Sequence, residues 1–144
     1  MTIRKATKKD IREIAKLMIG EFSKLPFNEK TTINSVIKSL NFYFKIGKVF
    51  VAVEDKKIVG VVVFKVEQWW EGHVILIEDL AVKEDFKKRG IGKKLTDEVE
   101  KYGKRIKANA VSFATNSKSR AVKFYIKQGY KKEKNRIFIR KKLK

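Results

Sequence analysis

Two carboxylates, Glu78 and Asp79, interrupt the apolar run Val74-Ile75-Leu76-Ile77-Glu78-Asp79-Leu80-Ala81-Val82. Charge in a buried strand is expensive unless it is paired or put to use, so this pair is the first candidate for proton transfer. Side chains alternate along a strand, so the two acids face opposite ways unless a bulge intervenes. Just beyond comes Lys87-Lys88-Arg89-Gly90-Ile91-Gly92-Lys93, ahead of a helical pattern. The N–H groups of a helix start have no intrahelical partners and carry partial positive charge, which makes them a natural seat for phosphate. Gly90 and Gly92 remove side chains where the backbone would approach an anion, and the neighbouring cations add charge. The competing reading is that the glycines only shape a tight turn. Gly-x-Gly in this setting fits neither the P-loop nor the dinucleotide-binding spacing, which counts against nucleoside triphosphate and nicotinamide ligands.

The elements that hold these residues are legible from their periods. "TIRKA" predicts a first strand, and Thr7-x-x-Asp10 resembles a capping box ahead of a helix with Ile11, Ile14, Leu17, Met18 and Phe22 on one face. Residues 24–30, with the only proline, read as a loop. A second helix follows with Ile33, Val36, Ile37, Leu40 and Phe44 at helical spacing, ended by Gly47. "KVFVAV", the turn "EDKK" and "IVGVVVFKVE" read as a hairpin. "QWWEG" is a connection to the strand 74–82, whose run of apolar residues on either side of the two acids predicts burial on both faces. A helix over 91–107 and a strand over 110–115 complete a crossover unit, so the strands 74–82 and 110–115 are expected to be parallel neighbours. "SRAVKFYIKQ" is a helix closed by Gly129, and "YKKEK" and "RIFIRKKL" read as two last strands. The order predicts one domain over residues 1–144, with a mixed, mostly antiparallel sheet of six to seven strands flanked by about four helices.

Composition narrows the chemistry. With 144 residues, 43% of them apolar, the chain can build one hydrophobic core. No cysteine is present, so disulfides, thiolate metal sites and cysteine nucleophiles are excluded. The one histidine, His73, makes a metal cluster or a histidine triad improbable and reads most simply as a polar residue at a strand start. No apolar run reaches membrane-spanning length, and "MTIRKATKKD" lacks the apolar centre of a signal peptide, so the expectation is a cytoplasmic protein without a membrane partner. The net charge of +20 is uneven: residues 1–86 carry +3 and residues 87–144 carry +17. Such asymmetry points to a polyanionic or phosphorylated partner, or else to a lysine-rich solvated surface.

Together, "EDLAV", "KKRGIGKKL", "AVSFAT" and "SRAVKFYIKQGY" resemble the GNAT superfamily of acetyl-CoA-dependent N-acetyltransferases, over nearly the whole chain. The most specific parts are Leu80 to Leu95 and Ala121 to Tyr130. The resemblance implies a GNAT-like α/β fold with its parallel strand pair at the cofactor site. It implies that Lys87, Lys88, Arg89, Gly90, Ile91, Gly92 and Lys93 form the loop that binds the pyrophosphate of coenzyme A through backbone N–H groups. Lys87 stands where the family usually has Gln or Arg, and Lys88 where Gly is common; a lysine at 88 is strained if that position needs a positive φ. The resemblance also implies a bulge near Glu78, opening a gap towards the strand 110–115. The thioester would lie in that gap against the backbone of Leu80, Ala81 and Val82, whose peptide groups could polarise its carbonyl. Glu78 is the preferred general base, through a water, with Asp79 as its competitor. Tyr125 matches the family tyrosine that protonates the departing thiolate; its phenol, with an ordinary pKa of about 10, suits that leaving group. Asn116 is the candidate contact for the pantetheine arm, since Lys118 occupies the family's usual asparagine position.

The expected activity is direct transfer of an acetyl group from acetyl-CoA to a primary amine of a small molecule, peptide or protein, with no metal and no covalent enzyme intermediate. Trp69 and Trp70 are candidates for a wall of the acceptor pocket, and Glu21, Glu29, Glu67, Glu71 and Glu78 leave room for a locally acidic one. A homodimer is consistent with the resemblance, with the strand 136–143 as a contributor. The rival reading is a basic protein bound to nucleic acid or the ribosome without transferase activity. Its clustered lysines support only nonspecific contact with a polyanion.

Overall fold

The computed structural model describes residues 1–24 and 26–144. Five strands form one sheet in chain order: β1 (Thr2–Lys5), β2 (Lys48–Glu54), β3 (Lys57–Trp69), β4 (Gly72–Val82) and β5 (Ala110–Phe113). β1 to β4 pair antiparallel, and β4 pairs with β5 in parallel through Val74–Ile77 and Ala110–Phe113. Four helices pack on it: α1 (Ile11–Phe22), α2 (Ile33–Ile46), α3 (Ile91–Arg105) and α4 (Ala121–Lys127). The mixed, mostly antiparallel sheet with a parallel pair therefore stands as expected. Of the expected loop 24–30, Leu25 lies outside the described residues.

Local chemistry explains the starts and turns. The Thr7 N–H donates to the Asp10 carboxylate at 2.7 Å, and Arg4 grips the same carboxylate with two nitrogens at 2.8 and 3.0 Å. That fork ties β1 to the entry of α1 and holds the Asp10 carboxyl below its ordinary pKa, with the Arg4 hydrogen bond as the leading cause. Asp55 and Lys56, both at positive φ, make the two-residue turn of the β2–β3 hairpin. β3 runs on to Trp69, so the connection to β4 is shorter than the expected "QWWEG": only Trp70 and Glu71 separate the strands.

β3 is buried on both faces, and its alternation divides the core. Val61 and Val63 pack with Ile11, Ile14, Leu17 and Leu40 under α1 and α2. Val62 and Phe64 pack with Ile75, Ile91, Leu95 and Val99 under α3. Each such side chain, fully withdrawn from water, contributes roughly 1.5–3 kcal/mol. Gly60 lets α3 come close: a Cβ there would stand 3.0 Å from both Ile91 and Leu95. That approach fixes the start of α3 beside the end of β4.

The two last strands do not form. Residues 131–144 have no regular structure, and Ile137, Phe138, Ile139 and Leu143 are exposed. The sheet has five strands among the described residues, not six or seven. The physical reason is charge and pattern: eight of these fourteen residues are Lys or Arg, and the three consecutive apolar residues 137–139 do not alternate to one face. A strand of that kind gains little without a ladder partner and a surface to bury against.

Candidate active site

The strand β4 changes phase in its middle. Phe64 pairs with Ile77 but Val63 pairs with Asp79, so Glu78 is the extra residue of a β-bulge. Before it, Ile75 and Ile77 face α3; after it, Ala81 faces α1 while Leu80 and Val82 turn towards α3. The bulge expected near Glu78 is present and settles the facing of the two acids. Asp79 sits opposite Val63 on the α1–α2 side, and Glu78 reaches Lys65 at 3.2 Å and the neighbourhood of the Tyr43 phenol on α2.

The same place ends the parallel pairing. β5 follows β4 only as far as the Ile77–Phe113 register, after which the chain leaves the sheet through Ala114 and Thr115. Beyond Ile77, the edge of β4 that faces away from β3 has no strand beside it among the described residues, and a cavity of about 450 Å³ opens there. β4 contributes Ile77, Glu78, Asp79 and Leu80 to its wall, and Phe113 and Asn116 line the opposite side. Tyr125 of α4 closes one end, and Phe22, Phe27 and Glu29 approach from α1 and the loop after it. Phe138 is the one tail residue on the lining.

The charged groups differ in their partners. Lys65 bridges Glu78 and Glu67 at 3.2 and 3.4 Å. Asp79 has no lysine or arginine partner among the described residues. Burial, then the neighbouring Glu78 and Glu29 carboxylates, push its pKa up from 3.8 to about 6. Tyr125 is 3% exposed, and its ring lies 3.7 Å from Phe113 and 5.1 Å from both Phe124 and Tyr130. Its hydroxyl makes no hydrogen bond among the described residues. Burial, aided by Tyr130, raises the phenol pKa well above its ordinary value, so the group keeps its proton at neutral pH. Tyr130 itself donates to Glu100 at 3.3 Å.

The basic loop lies at the C-terminal end of β4, as the sequence suggests. Gly90, at φ 78° and ψ 9°, is the N-cap of α3, and the first intrahelical bond runs from the Lys94 N–H to the Gly90 carbonyl. The N–H groups of Ile91, Gly92 and Lys93 therefore have no intrahelical acceptor. Gly90 is needed for its left-handed backbone rather than for room, because a Cβ there would meet nothing within 4 Å. At Gly92 a Cβ would stand 3.4 Å from the Phe124 ring, ordinary van der Waals contact, so space alone does not demand glycine there. Lys88 has φ 64°, the left-handed conformation in which a side chain is strained.

The loop's cations are partly engaged elsewhere. Lys87 Nζ lies 2.7 Å from Glu21 Oε1 and 2.9 Å from Glu84 Oε2, and Lys24 bridges the same two acids at 3.0 and 3.4 Å. Burial pulls the Lys87 pKa down, but Glu21 and Glu84 outweigh it and hold it above the ordinary value. This four-membered network ties the end of α1 to the loop. Arg89 stacks over Phe86 at 4.9 Å and lies 3.6 Å from Glu54, while Lys93 pairs with Asp97 at 2.9 Å. Asn116 lines the cavity, accepts from the Lys118 N–H at 2.9 Å and donates to the Pro26 carbonyl at 3.4 Å.

Two expectations move. Trp69 and Trp70 do not line the cavity. Trp69 donates its indole N–H to Glu67 at 2.9 Å beneath Arg136, and Trp70 is fully exposed at the β3–β4 turn. The aromatic wall is made instead by phenylalanines, Phe22 and Phe27 on one side and Phe138 on another, which the sequence pattern did not single out. Phe22 falls at helical spacing, and that made it read as core alone. Phe27 and Phe138 lie in irregular segments, where no period marks a facing. Among the described residues no helix is long and apolar enough to cross a membrane, and no group of His, Cys, Asp or Glu could hold a metal ion.

The family model for the GNAT acetyltransferases matches residues 13–130. No curated protein matches the sequence. Among solved structures, the chain is similar to an aminoglycoside acetyltransferase from an uncultured soil metagenomic sample, in complex with sisomicin. The identity is 23%, over 99% of this chain and 96% of that one, with a TM-score of 0.78. A tetramutant of the BH1408 protein from Bacillus halodurans shares 22% identity, over 97% and 99% of the two chains, with a TM-score of 0.82. A possible acetyltransferase from Clostridium difficile 630 superimposes with a TM-score of 0.86 at 15% identity, over 99% and 98%. At these identities the structural likeness speaks for the fold.

Proposed function

The chain belongs to the GNAT acetyltransferase family, and from that premise we propose that it transfers an acetyl group from acetyl-CoA to a primary amine. The observation that carries this reading is the bulge at Glu78. It ends the pairing of β4 with β5, opens the cavity, and sets Asp79 and Tyr125 on the walls of one space, with the start of α3 at the end of the same strand. Acetyl-CoA supplies the activated acetyl thioester.

The residues present fit the coenzyme. The N–H groups of Ile91, Gly92 and Lys93 are available for a pyrophosphate, and Gly90 holds the turn that presents them. Lys88 and Arg89 are exposed cations beside it. Lys87 acts as a brace, since Glu21 and Glu84 occupy its ammonium. The peptide groups of Leu80, Ala81 and Val82 that face the gap are the donors and acceptors for the thioester end, and Asn116 flanks the arm that leads there.

An amine must lose a proton to attack, and the leaving thiolate must gain one. The proton acceptor is one of the adjacent acids. Glu78 shares its charge with Lys65, whereas Asp79 is unpaired and titrates near pH 6, which leaves it ionised at neutral pH and still basic. The geometry favours Asp79 over Glu78. Tyr125, protonated and without a competing partner, holds the proton for the thiolate. The test is thiol release from acetyl-CoA in the presence of a panel of amines. Tyr125→Phe keeps the buried ring and lowers turnover, and Asp79→Asn lowers it more than Glu78→Gln. Absence of acetyl-CoA binding in a calorimeter would refute the proposal.

A further inference from the structure

The acceptor side of the cavity has a composition of its own. Three carboxylates, Glu29, Glu78 and Asp79, stand on its lining, and no lysine or arginine does. On a chain of net charge +20, this is a negative pocket inside a positive surface. The other groups there are flat and apolar: Phe22 and Phe27 meet edge to face at 5.2 Å, and Phe138 lines the cavity while remaining 86% exposed. At the far end, the Tyr125 hydroxyl is carried on a side chain that is 3% exposed and has no partner. That residue stands on the cavity wall, where a ligand can reach its hydroxyl.

Resting on the acetyltransferase reading above, we propose that the acceptor is a monocationic primary amine carried on an aromatic body, an arylalkylamine. Its ammonium is drawn to the carboxylates by Coulomb attraction, and its ring covers the phenylalanine faces that are left open to water. The acids exclude anionic amines, because two or three carboxylates repel a phosphate or carboxylate on the acceptor. The walls exclude polyamines and aminoglycosides, because their further ammonium and hydroxyl groups would lie against Phe22, Phe27 and Phe138 without hydrogen-bond partners. The positive surface outside disfavours them again on approach.

The experiment compares kcat/KM for 2-phenylethylamine, spermidine, an aminoglycoside and glucosamine 6-phosphate, alongside calorimetric binding of acetyl-CoA and of 2-phenylethylamine. The expected result is the highest kcat/KM for 2-phenylethylamine. Phe27→Ala and Phe138→Ala should each raise its KM, and its calorimetric Kd, about fivefold to tenfold, the loss expected for an aromatic contact, with the KM for acetyl-CoA unchanged. Phe138 lies in the irregular tail, so its replacement leaves the core intact and keeps the test independent of folding. If acetyl-CoA is consumed faster with spermidine or the aminoglycoside, the acceptor assignment is overturned and the transferase reading stands. If acetyl-CoA does not bind, both fall.

Discussion

Replacing Asp79 with asparagine should make the protein more stable and less active. The folded-state pKa of about 6 lies above the ordinary 3.8, with burial as the leading cause and the Glu78 and Glu29 carboxylates behind it. At 1.36 kcal/mol per pH unit, keeping this carboxylate ionised in the folded state costs about 3 kcal/mol above pH 6, and screening of its partly exposed atoms brings this to about 1–3 kcal/mol. The sign follows from proton binding: the folded state holds the proton more tightly, so the penalty is absent below about pH 4, grows between the two pKa values, and is complete above about pH 6. Asparagine is nearly the same shape and has no such penalty. Thermal unfolding of the two proteins should therefore coincide near pH 4 and separate at pH 7.5, with Asp79→Asn melting about 3–10 °C higher. In the same variant kcat/KM should fall about 100-fold or more, and the acid limb of the wild-type pH profile, centred near pH 6, should disappear. An equal or lower melting temperature at pH 7.5, or a difference that does not change between pH 4 and 7.5, would show that Asp79 is stabilised in the fold and is not the strained base.

Tyr125→Phe should lower kcat about 100-fold with little change in melting temperature, because the ring contacts with Phe113, Phe124 and Tyr130 remain; steady-state kinetics and calorimetry check the two halves. Lys88→Gly should stabilise the loop by roughly 0.5–1 kcal/mol, the relief of a left-handed side chain less the extra freedom of glycine when unfolded, measured by urea denaturation. Lys87→Met should cost about 1–3 kcal/mol, because it leaves Glu21 nearly buried with only Lys24 as its partner. The same variant should raise the KM for the acceptor as well as for acetyl-CoA, since the network joins the cofactor loop to the end of α1 that carries Phe22. A rise for acetyl-CoA alone would identify Lys87 as a phosphate contact instead.

The framework of the site was legible because it is local. A strand, a glycine-bearing loop and a helix follow one another within residues 74–105, and each announces itself by period or turn residue. The strain at Lys88 was legible for the same reason: a position expected to favour glycine carries a lysine, and the chain adopts φ 64° there regardless. What the sequence hid is set by contacts between distant segments. Lys87 reads as a free cation until Glu21, sixty-six residues earlier, is seen beside it. The rank of Glu78 and Asp79 depends on where Lys65 lies, and only the hairpin pairing places that lysine next to one acid and not the other. The tail misled for the opposite reason. "RIFIRKKL" has the composition of an edge strand, but composition does not supply a partner, and without one the eight cations of residues 131–144 and the exposed apolar residues among them remain outside the sheet.

The bulge at Glu78 links the features that would otherwise be separate facts. Without it, the alternation running through Ile75 and Ile77 would carry Asp79 to the α3 side, into the apolar cluster with Phe64 and Leu95, where an unpaired carboxylate is least tolerable. The inserted residue reverses the phase, so Asp79 turns to the α1–α2 side beside Glu29 and Phe27, and Leu80 takes the place on the α3 side that an apolar residue can fill. At the same position β4 loses its partner β5, which leaves peptide groups of Leu80 to Val82 facing a cavity instead of a neighbouring strand. One extra residue thus moves a charge to the acceptor side, strips a strand edge of its partner and opens space between the two. Deleting Glu78 should for that reason do more than remove a carboxylate: it would leave Asp79 opposite Val63 on the α1–α2 side but take away the bulge, so that β4 runs regularly past the point where the gap now opens.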